Sequence, residues 1–165
     1  MNAIDLCNNA LALLGEAPIQ AIDPNGFLPQ RMCYMHYHPT RRNVLREHPW
    51  LFATKNATLD SFATEDPQGH AIPHTIPADA LCIRTCNAPG WTQRGRQIFA
   101  RPQQIEIKYT RDEEDLDLWS ADALYLFTHR LAAMMCIPLI NSTTLRAELM
   151  AQYDTKLKSI TNPAK

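Results

Sequence analysis

A proline near residue 50 divides this chain into segments of different character. Residues 41–53 read RRNVLREHPWLFA, a charged helical run followed by a dense apolar cluster. The ring of Pro49 disfavours helical backbone at His48, so a helix is predicted to end there. Trp50 and Phe52 lie two residues apart, which places both rings on one face of an extended segment. The pattern predicts a helix-to-strand junction with both rings as buried anchors; the alternative role of Trp50 is a ligand platform.

Helical periodicity precedes this junction. A first helix is predicted over residues 2–14, because its apolar positions recur at helical spacing and Gly15 follows where a left-handed residue commonly ends a helix. A second helix is predicted over residues 30–47, with a kink or break at Pro39. The apolar stripe of the first helix consists of Ile4, Cys7, Leu11 and Leu14.

Helical periodicity returns after residue 111. The acidic residues 112–117 lead into a third helix that starts near Ser120 and ends near Pro138. Residues 141–144 supply N-cap side chains for a fourth helix. Its apolar stripe consists of Leu145, Leu149, Tyr153 and Leu157.

The sequence pattern in the middle of the chain is typical of β-strands. In residues 105–110, apolar and polar side chains alternate, which is typical of a strand with one buried face. Residues 94–96 predict a turn, and residues 63–77 a polar loop. The candidate strands are residues 57–62, 81–86, 97–101 and 105–110.

These patterns together predict an α+β fold. We expect an antiparallel bundle of about four helices with a small antiparallel β-meander inserted between helices 2 and 3. The chain of 165 residues is long enough to form one domain. Its predicted parts are a helical half (1–54), a β-rich insertion (55–111), a C-terminal helical hairpin (112–160) and a frayed tail (161–165).

Composition favours some classes of protein over others. Five scattered cysteines without a CxxC spacing indicate a reducing compartment. No basic leader is present, and no apolar window was expected to reach the length of a membrane span, so we expect neither secretion nor membrane insertion. The net charge of −1 argues against a dedicated DNA-binding face.

The sequence contains no recognisable catalytic motif. His36 and His38 are two residues apart, which points them to different faces of a helix, and His70 and His74, four apart, fall in a proline-flanked loop. Neither pair is therefore pre-arranged to share a metal ion. No phosphate-binding glycine loop, serine elbow or HExxH motif is present. We therefore expect no cofactor, no metal and no enzymatic activity.

Four sequence groups stand out along the chain: LLGEAPI (13–19), LREHPWLFA (45–53), IPADAL (76–81) and KYTR (108–111). Their order and spacing resemble the tail tubular protein A family of short-tailed bacteriophages and prophages. The resemblance extends over about residues 2–153. Two positions depart from the family pattern: Leu51, where the family more often has a polar residue, and Pro39, inside a helix.

This resemblance implies a structural, head-to-tail adaptor of the virion. Such adaptors form a ring, twelve subunits in the family, that docks beneath the portal protein and receives the tail nozzle, a tail tubular protein B-like partner. Genomic DNA passes through the lumen during ejection without sequence-specific binding, and no membrane is involved. The implied locations are the tail at the portal vertex and, during assembly, the host cytoplasm.

Charged patches supply candidate contacts for such a ring. We expect a basic patch on the second helix to face an acidic patch of the neighbouring subunit, and the end of the last helix to reach the portal. Alternatively, the basic patch is solvated surface. The acidic run would then interact favourably with the dipole of the following helix or bind a metal ion. The subunit-interface candidates are Arg41, Arg42, Arg46, Asp112, Glu113, Glu114 and Asp115, and the portal-contact candidates are Lys156, Lys158 and Lys165.

Two other functions compete with the adaptor. The first is a nucleic-acid-binding accessory protein of phage origin, which would use Arg94 and Arg96 together with the basic patch. The second is a small metal-dependent enzyme. Salt-dependent affinity for duplex DNA would favour the former, and metal retained through untagged purification would favour the latter.

Overall fold

The computed structural model describes residues 1–163, which form two compact units. The helical unit consists of Met1–His48 and the chain from Glu114 onward, and the β unit consists of Pro49–Glu113. The described residues contain four α-helices and two small antiparallel sheets, so the predicted α+β class is confirmed. The last two residues of the predicted frayed tail lie outside the described residues.

The first helix, α1 (Ala3–Leu13), begins and ends at the residues that its sequence indicates. The side chain of Asn2 accepts a hydrogen bond from the Asp5 backbone N–H at 2.9 Å, and the Asp5 carboxylate accepts one from the Asn2 N–H. This reciprocal pair satisfies two amide groups that have no partner within the helix. Gly15 follows with a φ of 74°, as predicted for a residue that ends a helix.

Two prolines lie within helices that the sequence predicted them to interrupt or end. The second helix, α2 (Leu28–Glu47), continues through Pro39, and the third, α3 (Ala121–Ile140), continues through Pro138. The helix α2 is therefore not broken at Pro39, and α3 ends at Ile140, close to the predicted end near Pro138. Because proline has no N–H, the carbonyl groups four residues earlier, on Met35 and Met134, lose their hydrogen-bond donor within the helix. Both residues are exposed, so water can donate a hydrogen bond in its place.

The helix α3 forms the centre of the helical unit. It contacts α1, α2 and the fourth helix, α4 (Thr143–Thr161). Phe127 of α3 is fully buried, and its ring centroid lies 5.1 Å from that of Tyr37 and 5.3 Å from that of Trp119. Packed aromatic pairs of this kind contribute both buried area and ring–ring attraction.

The length and composition of α3 also meet the criteria for a membrane-spanning helix. Its mean hydropathy is 1.5 over an 18-residue window, and half of that window is buried within the protein. The expectation that no segment would be long and apolar enough to span a membrane is therefore wrong. A core helix that packs against three others has the same apolar composition, so this property is weak evidence for a membrane location.

The β unit contains two three-stranded sheets. In one, the strand order is β1-β6-β3, and in the other it is β2-β5-β4. All pairs are antiparallel, but β6 lies between strands distant from it in sequence, so the predicted single meander is not observed. The strands are β1 (Thr54–Asp60), β2 (Ile72–Thr75), β3 (Ala80–Cys86), β4 (Thr92–Arg94), β5 (Gln97–Ala100) and β6 (Gln104–Arg111).

The alternation predicted for residues 105–110 is confirmed in β6 as far as Tyr109, whereas Thr110, predicted on the exposed face, is buried. Ile105, Ile107 and Tyr109 are each no more than 3% exposed and belong to one apolar cluster with Ile98 of β5. The intervening side chains of β6 point to the other face of the sheet, as the two-residue repeat of a strand requires. The core of the β unit therefore contains side chains from both sheets.

Candidate interaction surfaces

Arg41 is a buried residue of α2 and has only 1% of its surface exposed. Its Nη2 atom lies 3.4 Å from Oε1 of Glu114, and its Nη1 atom contacts Nδ1 of His38. The predicted solvated basic face is therefore wrong for Arg41. A buried guanidinium is tolerated where carboxylates and other polar groups neutralise and hydrogen-bond it.

Arg42 and Arg46 differ from Arg41 in exposure. Both side chains are exposed on α2, whereas Val44 and Leu45 between them are buried. Both also make contacts within their own chain. The three arginines that were grouped by sequence therefore consist of one core residue and two surface residues.

The acidic run is similarly divided. Glu113 is buried and forms an ion pair with Arg111 in the β unit, whereas Glu114 is exposed and pairs with Arg41 in the helical unit. The carboxylate of Asp115 accepts a hydrogen bond from the Asp117 N–H at 3.0 Å and begins a 3-10 turn, Leu116–Leu118. Two carboxylates of the run therefore pair with arginines of the same chain, and a third stabilises a turn before α3.

A cleft of about 370 Å³ in the helical unit is lined by Arg41, His38 and Tyr37 together with acidic side chains. Burial raises the pKa of the Tyr37 hydroxyl to about 12, and the nearby Arg41 opposes this shift. The Tyr37 hydroxyl therefore stays neutral at physiological pH. This arrangement suits ion pairing better than proton transfer.

Tyrosine ionisation gives a testable consequence. Burial raises the pKa of Tyr109 to about 12, and the hydrogen bond that its hydroxyl donates to Asp79, 3.0 Å long, adds to the shift. The folded state therefore retains the phenolic protons of Tyr37 and Tyr109 at a pH where the unfolded chain, with an ordinary value of 10.0, has lost them. We expect stability to be unaffected by these groups below pH 10 and to fall as pH rises towards 12.

Absorbance titration of the phenolate band, combined with denaturation at each pH, measures this effect. Tyr109→Phe should make the alkaline decrease in stability less steep, because one of the tyrosines with a raised pKa is removed. An unchanged alkaline slope in that variant would show that Tyr109 ionises equally in the folded and unfolded states.

The lysines predicted to contact the portal differ in accessibility. Nζ of Lys156 lies 2.8 Å from Oδ1 of Asp122 and 5.6 Å from the ring centroid of Tyr125, so this half-buried side chain links α4 to α3. Lys158 is exposed in the last turn of α4. Lys165 lies outside the described residues. Lys158 is therefore the portal-contact candidate that is exposed in this structure.

Trp50 and Phe52 stack on each other instead of lying on an extended strand. The residues Leu51–Ala53 form a 3-10 turn, which corrects the predicted extended backbone. The two ring centroids are 5.9 Å apart with an interplanar angle of 23°. Trp50 is 5% exposed and Phe52 is half-buried, so burial is confirmed for Trp50 and partial for Phe52. Their role as a joint between the two units stays a prediction.

The four histidines considered above as metal ligands occupy different environments. His36 is half-buried on α2, where burial lowers its pKa, and His38 contacts Arg41. Nδ1 of His70 lies 2.5 Å from Oδ2 of Asp66, and His74 is fully buried among backbone carbonyls. Within residues 1–163, no group of three or more His, Cys, Asp or Glu side chains is placed to hold a metal ion.

Several large apolar side chains are exposed, and the sequence interpretation did not select them as contact residues. Phe27, Tyr34 and Met35, at the start of α2, are 82%, 56% and 58% exposed. Leu51 and Phe62 of the β unit are 92% and 102% exposed. Clustered exposed apolar residues commonly mark contact surfaces. Of these five residues, only Leu51 was unusual in the sequence, because the resembled family more often has a polar residue at its position.

Comparison with known proteins adds no assignment: the chain matches no protein-family model and no curated protein.

Proposed function

We propose that this protein is a structural head-to-tail adaptor of a short-tailed phage particle, a ring that joins the portal to the tail nozzle. The observation that carries this proposal is the order and spacing of the four sequence groups that resemble the tail tubular protein A family. We further propose that the four helices form an antiparallel bundle, as in the predicted fold. The ring would allow DNA to pass without binding it sequence-specifically.

Contacts between two of the four groups support the resemblance at the level of local structure. In residues 76–81 and 108–111, Ala80 pairs with Arg111 across the β3–β6 ladder, and the Tyr109 hydroxyl donates to Asp79. The Asp112 N–H donates to the Asp79 carbonyl at 2.7 Å. These residues therefore form one structural unit at the end of a sheet, which gives a physical reason for their joint presence.

The surface of the isolated chain is suited to assembly. A closed ring of identical subunits requires two different patches on each chain, because one patch meets the other on its neighbour. The exposed apolar residues of α2 lie in the helical unit, whereas Leu51 and Phe62 lie in the β unit. Exposed apolar side chains are thus present in both units, and a heterologous contact could use one set from each.

The charged contact between subunits is proposed in a narrower form than the sequence predicted. Arg41 and Glu114 pair within one chain, so neither is assigned to the subunit interface. The remaining basic candidates are Arg42 and Arg46, and the remaining exposed acidic candidate is Asp115. All three also make contacts within their own chain, so a contact between subunits would add to those or replace them.

Assembly on the portal tests this function. We expect the purified chain to be mainly monomeric and to form a ring when the portal protein of the same phage is added, as measured by light scattering after size-exclusion chromatography. Arg42→Glu together with Arg46→Glu should block ring formation at low salt, where charge contacts are least screened, without lowering the melting temperature.

Arg146→Glu provides a matched control, because Arg146 is also an exposed helical arginine but lies on α4. This variant should assemble as the natural chain does. Full assembly of the double variant at low salt would refute the charge contact while leaving the adaptor function open. Failure of the natural chain to bind the portal, combined with tight salt-dependent DNA binding, would favour the nucleic-acid-binding alternative.

A further inference from the structure

The start of α2 presents one exposed face that combines apolar and basic side chains. Four exposed residues recur there at spacings of three and four, which places them on the same side of the helix. The Phe27 N–H donates a hydrogen bond of 2.9 Å to the Gln30 side chain, which fixes the residue where the helix begins. The residues of this α2 face are Phe27, Arg31, Tyr34 and Met35.

Arg31 gives the α2 face a positive charge. The helix contains no acidic residue before Glu47, which pairs with Arg130. Within residues 1–163, the Arg31 guanidinium forms no ion pair. Arginine, aromatic and methionine side chains are enriched in protein interfaces, and arginine and aromatic residues often contribute most of the binding energy. This composition therefore favours contact with an acidic partner that also carries an apolar side chain.

A segment of the β unit has the opposite charge and an exposed ring of its own. Residues 60–66, the acidic segment, read DSFATED and contain three carboxylates and no basic side chain. Phe62 is its exposed apolar residue. The Asp60 carboxylate accepts a hydrogen bond from a glutamine amide at 3.0 Å, and the Glu65 carboxylate accepts one from a backbone N–H at 3.1 Å. Neither donor carries a positive charge, so these contacts leave the charge of both carboxylates uncompensated.

Hydrogen bonds hold the acidic segment in place around Phe62. The Ser61 N–H donates to the Gln103 carbonyl at 2.8 Å, and the Ser61 hydroxyl donates to the Pro73 carbonyl at 2.6 Å. The same hydroxyl accepts a hydrogen bond from the Ala63 N–H at 3.1 Å. Phe62 therefore lies between two anchored residues with its ring in solvent. A side chain on such a fixed backbone loses little conformational entropy when it packs against a partner.

We propose that the acidic segment of one chain docks on the α2 face of a second copy of this chain. The Phe62 ring packs on the apolar side chains of that face, and the carboxylates lie beside Arg31. Charge complementarity identifies the occupant, because each copy carries one basic and one acidic patch and both are exposed.

This contact rests on the proposed function, since it supplies the two different patches that neighbouring subunits of a ring require. Both patches are small. We therefore expect the contact to form when the portal holds neighbouring chains at high effective concentration, and not between free chains.

Cross-linking within the assembled ring tests the contact. Chains carrying Met35→Cys and chains carrying Thr64→Cys are mixed with the portal protein and treated with a short bifunctional maleimide. Thr64 is exposed within the acidic segment, so its replacement keeps Phe62 and the carboxylates. Both chains also carry Cys82→Ser and Cys86→Ser, which remove the natural thiols that are not buried. We expect covalent dimers in the mixture and none when either chain is assembled alone.

Met134→Cys in place of Met35→Cys is the matched control, because Met134 is also an exposed helical methionine but lies on α3. It should give no covalent dimers with Thr64→Cys. Rings that form without dimers between Met35→Cys and Thr64→Cys would overturn this contact alone. Failure of the natural chain to form a ring on the portal would overturn the adaptor function and this contact with it.

Charge exchange provides a second measurement. Arg31→Glu should raise the chain concentration needed for half-maximal ring formation at low salt by about tenfold, because like charges then face each other. Adding Glu65→Arg to the same chain should restore assembly, since the opposite charges are then exchanged. Arg146→Glu is again the control and should assemble as the natural chain does. Natural assembly of Arg31→Glu, or no recovery on adding Glu65→Arg, would contradict the contact.

Discussion

Replacing Trp50 by Ala is expected to lower the free energy of unfolding by about 3 to 5 kcal/mol. The indole is 5% exposed and stacks on Phe52, so the substitution removes a large apolar side chain and leaves a cavity. A loss of this size is a large fraction of the roughly 5 to 15 kcal/mol by which typical domains are stable. Chemical denaturation monitored by circular dichroism measures the change, and most of the expressed variant should be insoluble.

Leu51→Ala is the matched control for this substitution. Leu51 is the next residue and is also large and apolar, but it is 92% exposed. Its removal should change the free energy of unfolding by less than about 0.5 kcal/mol, as is usual for surface positions. If Trp50→Ala were as stable and soluble as Leu51→Ala, Trp50 would be a surface residue and a candidate contact site.

Reversing the charge of Arg41 is expected to destabilise the protein by about 3 to 5 kcal/mol. Arg41→Glu would place a carboxylate in a site that is 1% exposed and next to the carboxylate of Glu114. The new charge would lose its hydration without gaining a partner of opposite sign. Urea denaturation of the variant measures the loss.

Two variants separate the charge of Arg41 from its burial. Arg41→Met keeps most of the side-chain volume and should cost only about 1 kcal/mol, because Glu114 is 69% exposed and can be hydrated without its partner. Arg42→Glu introduces the same new charge at the adjacent exposed position and should cost much less than Arg41→Glu. Equal losses in Arg41→Glu and Arg42→Glu would show that Arg41 is not buried in solution.

The helix boundaries were predictable where local chemistry determines them. Asn2, Gly15 and Ser120 act on amides or backbone angles within a few residues, and the structure uses each as the sequence indicates. The effects of Pro39 and Pro138 were not predictable in the same way. A proline removes one hydrogen bond, but the packing of the rest of the helix against its neighbours outweighs that local cost.

The strands were only partly predictable. Both β2 and β4 were missed, and β2 lies in a segment interpreted as a polar loop. Pro73 lies within β2, and proline is tolerated there because β2 is an edge strand that pairs on one side only, with β5. Sequence alone does not show which strand lies at an edge, since this depends on pairing between distant segments.

The charged residues were also only partly predictable. Arg41 lies four residues from both Tyr37 and Leu45, so helical spacing places it on the buried face of α2, a signal that grouping the three arginines by charge overlooked. The partner of Arg41, Glu114, is 73 residues away, and the local pattern does not identify it. The ion pair of Lys156 with Asp122 likewise depends on contact between two helices.

Electron microscopy of the natural chain mixed with its portal protein tests the adaptor function most directly. Side views should show an added layer on one face of the portal, and end views should show a ring with an open centre, with twelve subunits if the chain follows the resembled family. The tail nozzle protein should then bind to the opposite face of this layer. A portal that stays bare at saturating concentrations of the folded, monomeric chain would contradict the proposed function.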